Sequence, residues 1–175
     1  GGTDLLPNMR VEIIRPERLI SLAAIAAEAP KKQKDGSIRI DALTKLTDIE
    51  NSDFLRQALP MLCESAHSVA GNQIRQMGTL GGNLCQDSRC LYLNQKHDFQ
   101  FVEDCYKRGG DCCYPFPKND RTTCWSVYMS DMAPVLIALN AEAEIICAEG
   151  SRQIALQDLF SGDGLKPQCL GPDEL

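Results

Sequence analysis

Apolar and polar positions follow several distinct rhythms along the chain. In "KKQKDGSIRIDAL" (31–43), Asp35-Gly36 sits at the centre, and the alternation after it puts Ile38 and Ile40 on one face. That pattern predicts a β-hairpin whose turn is specified. From Asp53 to Val69, "DFLRQALPMLCESAHSV" has amphipathic helical spacing. Pro60 lacks an N–H donor, so the pattern predicts two helices, the second beginning near that proline. Ser130 is placed as the N-cap of "DMAPVLIALN", with Asp131 in the first turn, where a carboxylate is favoured, and Pro134 early enough to be tolerated. "AEAEIICA" reads as a strand, Gly150-Ser151 turn the chain into "RQIAL", and "SGDGLKPQCLGPDEL" reads as a Gly/Pro-rich loop. Helices and strands mix without regular alternation, which predicts an α+β fold rather than a doubly wound parallel sheet.

Composition narrows the class. A chain of 175 residues with 43% hydrophobic content fits one domain with a real core and no need of disulfides. A net charge of −6 and a pI near 4.9 argue against a nucleic-acid partner, which needs a positive face. The basic run "KKQK" (31–34) is expected to be a solvated arm of the hairpin. The chain opens on "GGTDLLPNMR" with neither a basic start nor an apolar signal segment, and no apolar run approaches the length of a membrane span. The expectation is a cytoplasmic protein without membrane contact, in which cysteines serve as metal ligands or redox centres rather than bridges.

There are nine cysteines, and six of them fall between residues 85 and 125. Their spacing, Cys85-x4-Cys90-x14-Cys105-x6-Cys112-Cys113-x10-Cys124, lacks the paired C-x2-C knuckles of ordinary zinc modules. The segment has no long periodic pattern and looks inserted. Either zinc or an iron–sulfur cluster would give such a segment an ordering centre, since thiolates around a cluster need only converge in space. Cys63, Cys147 and Cys169 are isolated, and core packing accounts for the first two; His67 and His97 are read as ordinary surface or core residues.

Two glycine motifs share one logic. In "GGTDLL" (1–6) and "GTLGGN" (78–83), adjacent glycines permit left-handed dihedrals and close backbone approach to an anion, while Thr3, Thr79 and Asn83 supply side-chain hydrogen bonds. With "SD" ahead of a helix, they suggest a dinucleotide held by loops. No G-x-G-x-x-G fingerprint accompanies them, so a nicotinamide-type fold lacks support.

The order "GGTDLLP", "QIRQMGTLGGNL", "SDMAPVLIALNA", "LFSGDGLKP…PDEL" resembles the FAD-binding subunit of the molybdenum hydroxylase (xanthine dehydrogenase) family over the whole chain. The cysteine segment opening with "CQDSRC" is similar to the extra loop of the branch formed by 4-hydroxybenzoyl-CoA reductase beta subunits, which holds a [4Fe-4S] cluster; aldehyde oxidoreductase flavoprotein subunits with their own cluster are the neighbouring alternative. The resemblance implies an α+β FAD-binding domain of the molybdopterin dehydrogenase (PCMH-like) type spanning 1–175, with 85–125 as an inserted iron–sulfur loop. By motif, Gly1, Gly2, Thr3, Asp4 and Leu5 form a first FAD loop and Gly78, Thr79, Gly82 and Asn83 a second. Ala70 and Ile74 lie upstream, Ser130 and Asp131 form a polar pair at the flavin, and Lys166 matches a late lysine across a one-residue gap. Cys90, Cys105, Cys113 and Cys124 are the implied cluster ligands, with Cys112 as a substitute for Cys113 and Cys85 as either ligand or packing residue.

The resemblance further implies an electron relay through FAD and the cluster, between an external donor or acceptor and the molybdopterin-binding large and [2Fe-2S] small subunits of a complex. It implies no acid–base catalytic residue in this chain. The family carries a strand before the first Gly-Gly and a further domain after "PDEL", so the chain is expected to be a domain truncated at both ends. The rival readings are a non-catalytic zinc-binding interaction module, a flavin-free scaffold, and a flavin subunit of an aldehyde/xanthine-type dehydrogenase.

Overall fold

The computed structural model describes residues 1–95, 100–116 and 123–175. His97 lies outside the described residues. The chain divides into two compact units: Gly1–Met9, Ile14–Cys85 and Ser130–Val135 form the first, and Arg10–Ile13, Gln86–Met129 and Leu136–Leu175 the second. The chain therefore leaves the first unit after Cys85 and re-enters it at Ser130.

The first unit is mainly helical. A short helix α1 (Leu5–Arg10) follows the opening glycines, where the sequence suggests only a loop. The hairpin of β1 (Lys31–Lys32) and β2 (Ile38–Arg39) then pairs antiparallel, Lys31 with Arg39 and Lys32 with Ile38. Its turn forms as the sequence predicts: Gly36 takes φ +91°, and Asp35 Oδ1 accepts from the Ser37 amide at 2.9 Å and the Ser37 hydroxyl at 2.7 Å. Lys31, Lys32 and Lys34 are exposed, as a solvated arm requires.

Four helices come next, α2 (Leu46–Glu50), α3 (Asp53–Ala58), α4 (Pro60–Ser68) and α5 (Asn72–Met77). The predicted break at Pro60 is present: Leu59 leaves helical geometry at φ −138°, and Pro60 opens α4, where a missing N–H costs nothing. Ser52 caps α3 by accepting from the Leu55 amide at 3.2 Å. α2 packs on α4 and α5, and α3 on α4. Leu46, Ile49, Leu55, Leu62 and Ala66 are buried at the contacts, where apolar area removed from water stabilises the unit. Cys63 belongs to this core, its thiol donating to Ile49 O at 3.2 Å while burial pushes its pKa up.

The segment "GTLGGN" differs from its prediction. Residues Leu80–Leu84 form a helical turn, α6, and neither Gly81 nor Gly82 has a positive φ. The glycine at 81 answers to close packing instead: a Cβ there would stand 2.9 Å from Ala42 Cβ and 3.1 Å from Ala42 O. Backbone bonds from Leu46 N to Gly78 O at 3.0 Å and from Leu80 N to Thr44 O at 2.9 Å, with Gly81 N to Ala42 O at 2.8 Å, draw the segment onto residues 42–46.

In the second unit, β3 (Glu142–Cys147) and β4 (Gly150–Ala155) form an antiparallel hairpin running from Glu142 opposite Ala155 to Cys147 opposite Gly150. Ile145 is buried and Ile146 exposed, the alternation of a half-covered sheet. Cys147 is half-buried at the hairpin end rather than in the core, which corrects its sequence reading; Cys169 is exposed. Ahead of the hairpin, α7 (Ala133–Ala138) begins close to the predicted cap. Among its described residues the cysteine-rich segment is irregular apart from a 3-10 turn at Tyr106–Arg108, yet it is tied to the C-terminal residues of its unit: Gly164 N donates to Cys124 O at 3.2 Å and Gln168 Nε2 to Gln86 O at 3.4 Å. Among the described residues no helix is long and apolar enough to cross a membrane.

Candidate cofactor-binding sites

The two glycine motifs meet in the first unit. Gly1 lies so close to the end of α5 that a Cβ on it would fall 1.9 Å from Met77 O and 3.1 Å from Gly78 N, so only glycine fits there. Gly2 has φ +76°, the left-handed geometry its motif predicts. The amides of Gly2, Thr3 and Leu5 donate to no acceptor among the described residues, and neither does the Thr79 amide. Gly2, Thr3, Asp4, Gly78 and Thr79 are half-buried, and Gly1, Leu5 and Gly82 exposed. Thr79 Oγ1 caps α6 by accepting from the Gly82 amide at 3.1 Å, which leaves its own proton to donate.

Asn83 is buried and joins the second motif to the "SD" pair. Its Oδ1 accepts from Ser130 Oγ at 2.8 Å and from the Met132 amide at 3.0 Å; its Nδ2 donates to Asp131 Oδ2 at 3.3 Å. Ser130 Oγ in turn accepts from the Ala133 amide at 3.0 Å, the capping role assigned to it from sequence. Ser65 Oγ donates to Asp131 O at 3.2 Å, which ties the same segment to α4. The Asn83 amide is thus engaged inside the chain, and it acts by placing Ser130 and Asp131. Of these, Ser130 is buried and Asp131 exposed.

Ala70 stands at φ +44°, unusual for a residue with a Cβ. Its carbonyl is held by Arg75 Nη1 at 2.9 Å, which also donates to Val69 O at 3.1 Å. The buried Arg75 is in turn fixed by Nε to Glu50 Oε2 at 2.7 Å. Glu50 Oε1 meets the exposed His67 ring at Nδ1, 2.6 Å away. The His67 hydrogen bond and then Arg75 hold the Glu50 carboxyl below its ordinary pKa against the opposing effect of burial. His67 is therefore a satisfied surface residue, as expected. Ile74 presents an exposed side chain one turn along α5. Lys166 belongs to the second unit and is exposed; its carbonyl accepts from Ser161 Oγ at 2.5 Å.

Cys90, Cys105, Cys113 and Cys124 line one cavity of about 160 Å³ in the second unit. These are the four positions that the family resemblance singles out; Cys112 and Cys85 are not on its wall. Tyr92 and Tyr114 stack at 5.2 Å and Phe116 packs on Trp125 at 5.5 Å, giving the cavity an aromatic rim. Burial pushes the Cys124 thiol up; the Ser126 amide and Lys107 oppose that, and Cys113 and Cys105 add to it, so each of these groups lies within electrostatic reach of Cys124. Ser126 Oγ, also on the wall, is buried with no hydrogen-bond partner among the described residues. Among those residues no three His, Cys, Asp or Glu side chains close on a single point as one metal ion requires. Sequence reasoning missed Lys107, Gly164 and Arg75. A lysine two positions after a cysteine, and a second glycine in "SGDG", were the available signals for the first two; nothing in the local pattern marks Arg75.

Comparison with known proteins supplies the relationship. The profile described as "FAD binding domain in molybdopterin dehydrogenase" matches residues 1–175. The aldehyde oxidoreductase FAD-binding subunit PaoB of Escherichia coli (strain K12) is 31% identical over 188 aligned residues, covering 100% of this chain and 58% of that protein. The carbon monoxide dehydrogenase medium chain of Afipia carboxidovorans is 28% identical over 162 residues, covering 93% of this chain and 43% of that one. Among solved structures, a cyanide-inactivated Cu,Mo-CO dehydrogenase superposes with a TM-score of 0.65 at 25% identity, covering 99% of this chain and 46% of that one. The chain thus spans about half the length of the relatives it matches. The predicted α+β class agrees with these matches, and with the motif pieces found adjacent in the first unit they establish that the chain belongs to the family of FAD-binding domains of molybdopterin dehydrogenases.

Proposed function

We propose that the chain is the FAD-binding portion of the electron-transferring subunit of a molybdenum hydroxylase-type oxidoreductase of the aldehyde/xanthine class. The observation that carries this reading is the junction made by Asn83, which brings the second glycine motif and the Ser130-Asp131 pair together in the unit where Gly1 seats against Met77. The relatives named above are aldehyde- and CO-linked flavoprotein subunits, so they favour this class over the 4-hydroxybenzoyl-CoA reductase branch that the cysteine segment suggests.

The residues fit FAD. Unpaired amides at Gly2, Thr3, Leu5 and Thr79 are suited to a diphosphate, because backbone donors at a side-chain-free turn can approach its oxygens closely. Gly1, Asp4, Gly78 and Gly82 complete the two loops, Ala70 and Ile74 flank them, and Ser130 and Asp131 face the flavin from the clasped segment; Lys166 is the late lysine that the family resemblance adds. Bound FAD would supply a two-electron redox centre. The chain's own work is to hold that group, exclude water from it and fix Asp131 through Asn83.

We further read residues 85–125 as an inserted loop holding a [4Fe-4S] cluster on Cys90, Cys105, Cys113 and Cys124. A zinc ion needs its sulfurs about 2.3 Å from one point, whereas each thiolate of a cube binds a different iron, and the four cysteines on one cavity wall supply the thiolates a cube needs. The orphaned Ser126 hydroxyl and the Ser126 amide are donors a cluster would use, and such hydrogen bonds tune its potential. The partners on this reading are a molybdopterin-binding large subunit, a [2Fe-2S] small subunit and an external electron donor or acceptor.

Anaerobic purification of the subunit followed by flavin, iron, sulfide and zinc assays tests the proposal. FAD with four irons is the expected result. A colourless protein with stoichiometric zinc would return the chain to a metal-binding interaction module. Single Cys→Ser changes at 90, 105, 113 and 124 should each remove iron, while Cys112→Ser and Cys85→Ser should leave it.

A further inference from the structure

Lys107 is a largely covered cation that the reading above leaves without a task. Its Nζ donates to Asp87 Oδ1 at 2.5 Å, to Ser88 Oγ at 2.9 Å and to Gly164 O at 2.7 Å. Three acceptors use all three donors of an ammonium, so the charge is held at one point instead of swinging on a flexible stem. The Lys107 side chain is 11% exposed and that of Asp87 39%, which puts the carboxylate on the solvent side of the pair, where water screens it.

Lys107 lines the same cavity as Cys90, Cys105, Cys113 and Cys124. One of its anchors also touches the cysteines. Gly164 N donates to Cys124 O, and a Cβ on Gly164 would come within 2.7 Å of Cys124 Sγ. The ammonium is therefore one residue removed from a cavity sulfur, on a backbone with no room to shift. The Asp87 carboxylate and the two neutral acceptors hold the ammonium in place, and the better-exposed carboxylate is the more screened of the two charges.

We propose that Lys107 sets the reduction potential of the group held by the four cysteines, acting as a fixed positive charge in the cavity wall. This rests on the cluster reading given above. Reduction of a four-thiolate iron–sulfur cluster by one electron, supplied in a titration by dithionite, breaks no bond and adds one negative charge inside the cavity. A neighbouring cation in a medium of low dielectric constant stabilises that added charge and raises the potential, and the Asp87 carboxylate partly offsets it.

The test is a redox titration followed by electron paramagnetic resonance on the anaerobically reconstituted subunit, with iron and sulfide measured in every sample. Lys107→Met should move the midpoint to lower potential, Lys107→Arg should keep it near wild type, and Asp87→Asn should move it higher. Full iron content with the same midpoint in Lys107→Met and Asp87→Asn overturns the inference. Should Lys107→Met fail to fold, Asp87→Asn decides alone, because it keeps the cation and removes only its counter-charge. A wild-type subunit that takes up no iron overturns the cluster reading, and this inference with it; the iron assay separates that failure from an unchanged midpoint.

Discussion

Ser130 Oγ donates a 2.8 Å hydrogen bond to Asn83 Oδ1 across 47 positions of sequence, and the same oxygen of Ser130 caps the helix that follows. Two motifs that are separate in the chain thereby share one polar network inside the first unit.

Asn83→Ala is expected to leave the Ser130 hydroxyl and the Met132 amide without an acceptor at a buried site. Each unsatisfied group costs about 1–3 kcal/mol, so a loss of roughly 2–5 kcal/mol should appear in urea unfolding. Ser130→Ala removes the cap and one bond to Asn83, and should cost about 1–2 kcal/mol. Equal, negligible effects in both variants would contradict the network.

Gly164→Ala inserts a methyl group 2.4 Å from Cys124 O and 2.7 Å from Cys124 Sγ. Because the obstructing atoms include backbone, the segment bearing Cys124 has to move. Destabilisation of about 1–3 kcal/mol is expected from the overpacking, and on the proposed cluster reading also a loss of iron. Thermal melting and an iron assay on the same preparation read both effects.

Ala70 offers a change in the stabilising direction. Its φ of +44° is a geometry in which a Cβ crowds the backbone, at a cost of roughly 1–2 kcal/mol. Ala70→Gly removes that strain but enlarges the unfolded ensemble, so a net gain of up to about 1 kcal/mol is expected. A clear drop in melting temperature would show that the Ala70 methyl group makes a contact worth more than the strain.

Glu174 governs part of the acid response. Its carboxyl is lowered from 4.5 to about 2, first by the Arg152 hydrogen bonds and then by the Gly171 amide, and Arg152 Nε stands 2.7 Å from Oε1. A carboxyl whose folded pKa is depressed contributes stability that is complete above its unfolded pKa and is lost as pH falls through the folded one. The second unit should therefore lose stability between about pH 4.5 and 2 through this group. Glu174→Gln should lower stability at neutral pH and flatten that part of the acid limb, as followed by circular dichroism.

Local chemistry was legible where one residue decides the outcome. Asp35-Gly36 could only turn, Pro60 could only start a helix, and Ser130 could cap the segment after it. The glycines of the two motifs were harder to read, because the sequence shows freedom without showing its use: Gly2 takes a left-handed φ, whereas Gly81 yields space to Ala42. Asn83 looked like a donor to a ligand, yet its amide is occupied by partners far along the chain. The same remoteness hid Lys107 and Gly164, whose importance depends on Cys124 and appears only when the two segments lie side by side. Cys147 misled because a strand pattern does not say which end of a hairpin is covered.

The long passage between Cys85 and Ser130 departs and returns beside a knot of hydrogen bonds that does not depend on what lies between them. A fold arranged in that way can accept, exchange or discard its excursion as a cassette. Related chains are then free to vary that excursion without disturbing the clasp between Asn83 and Ser130.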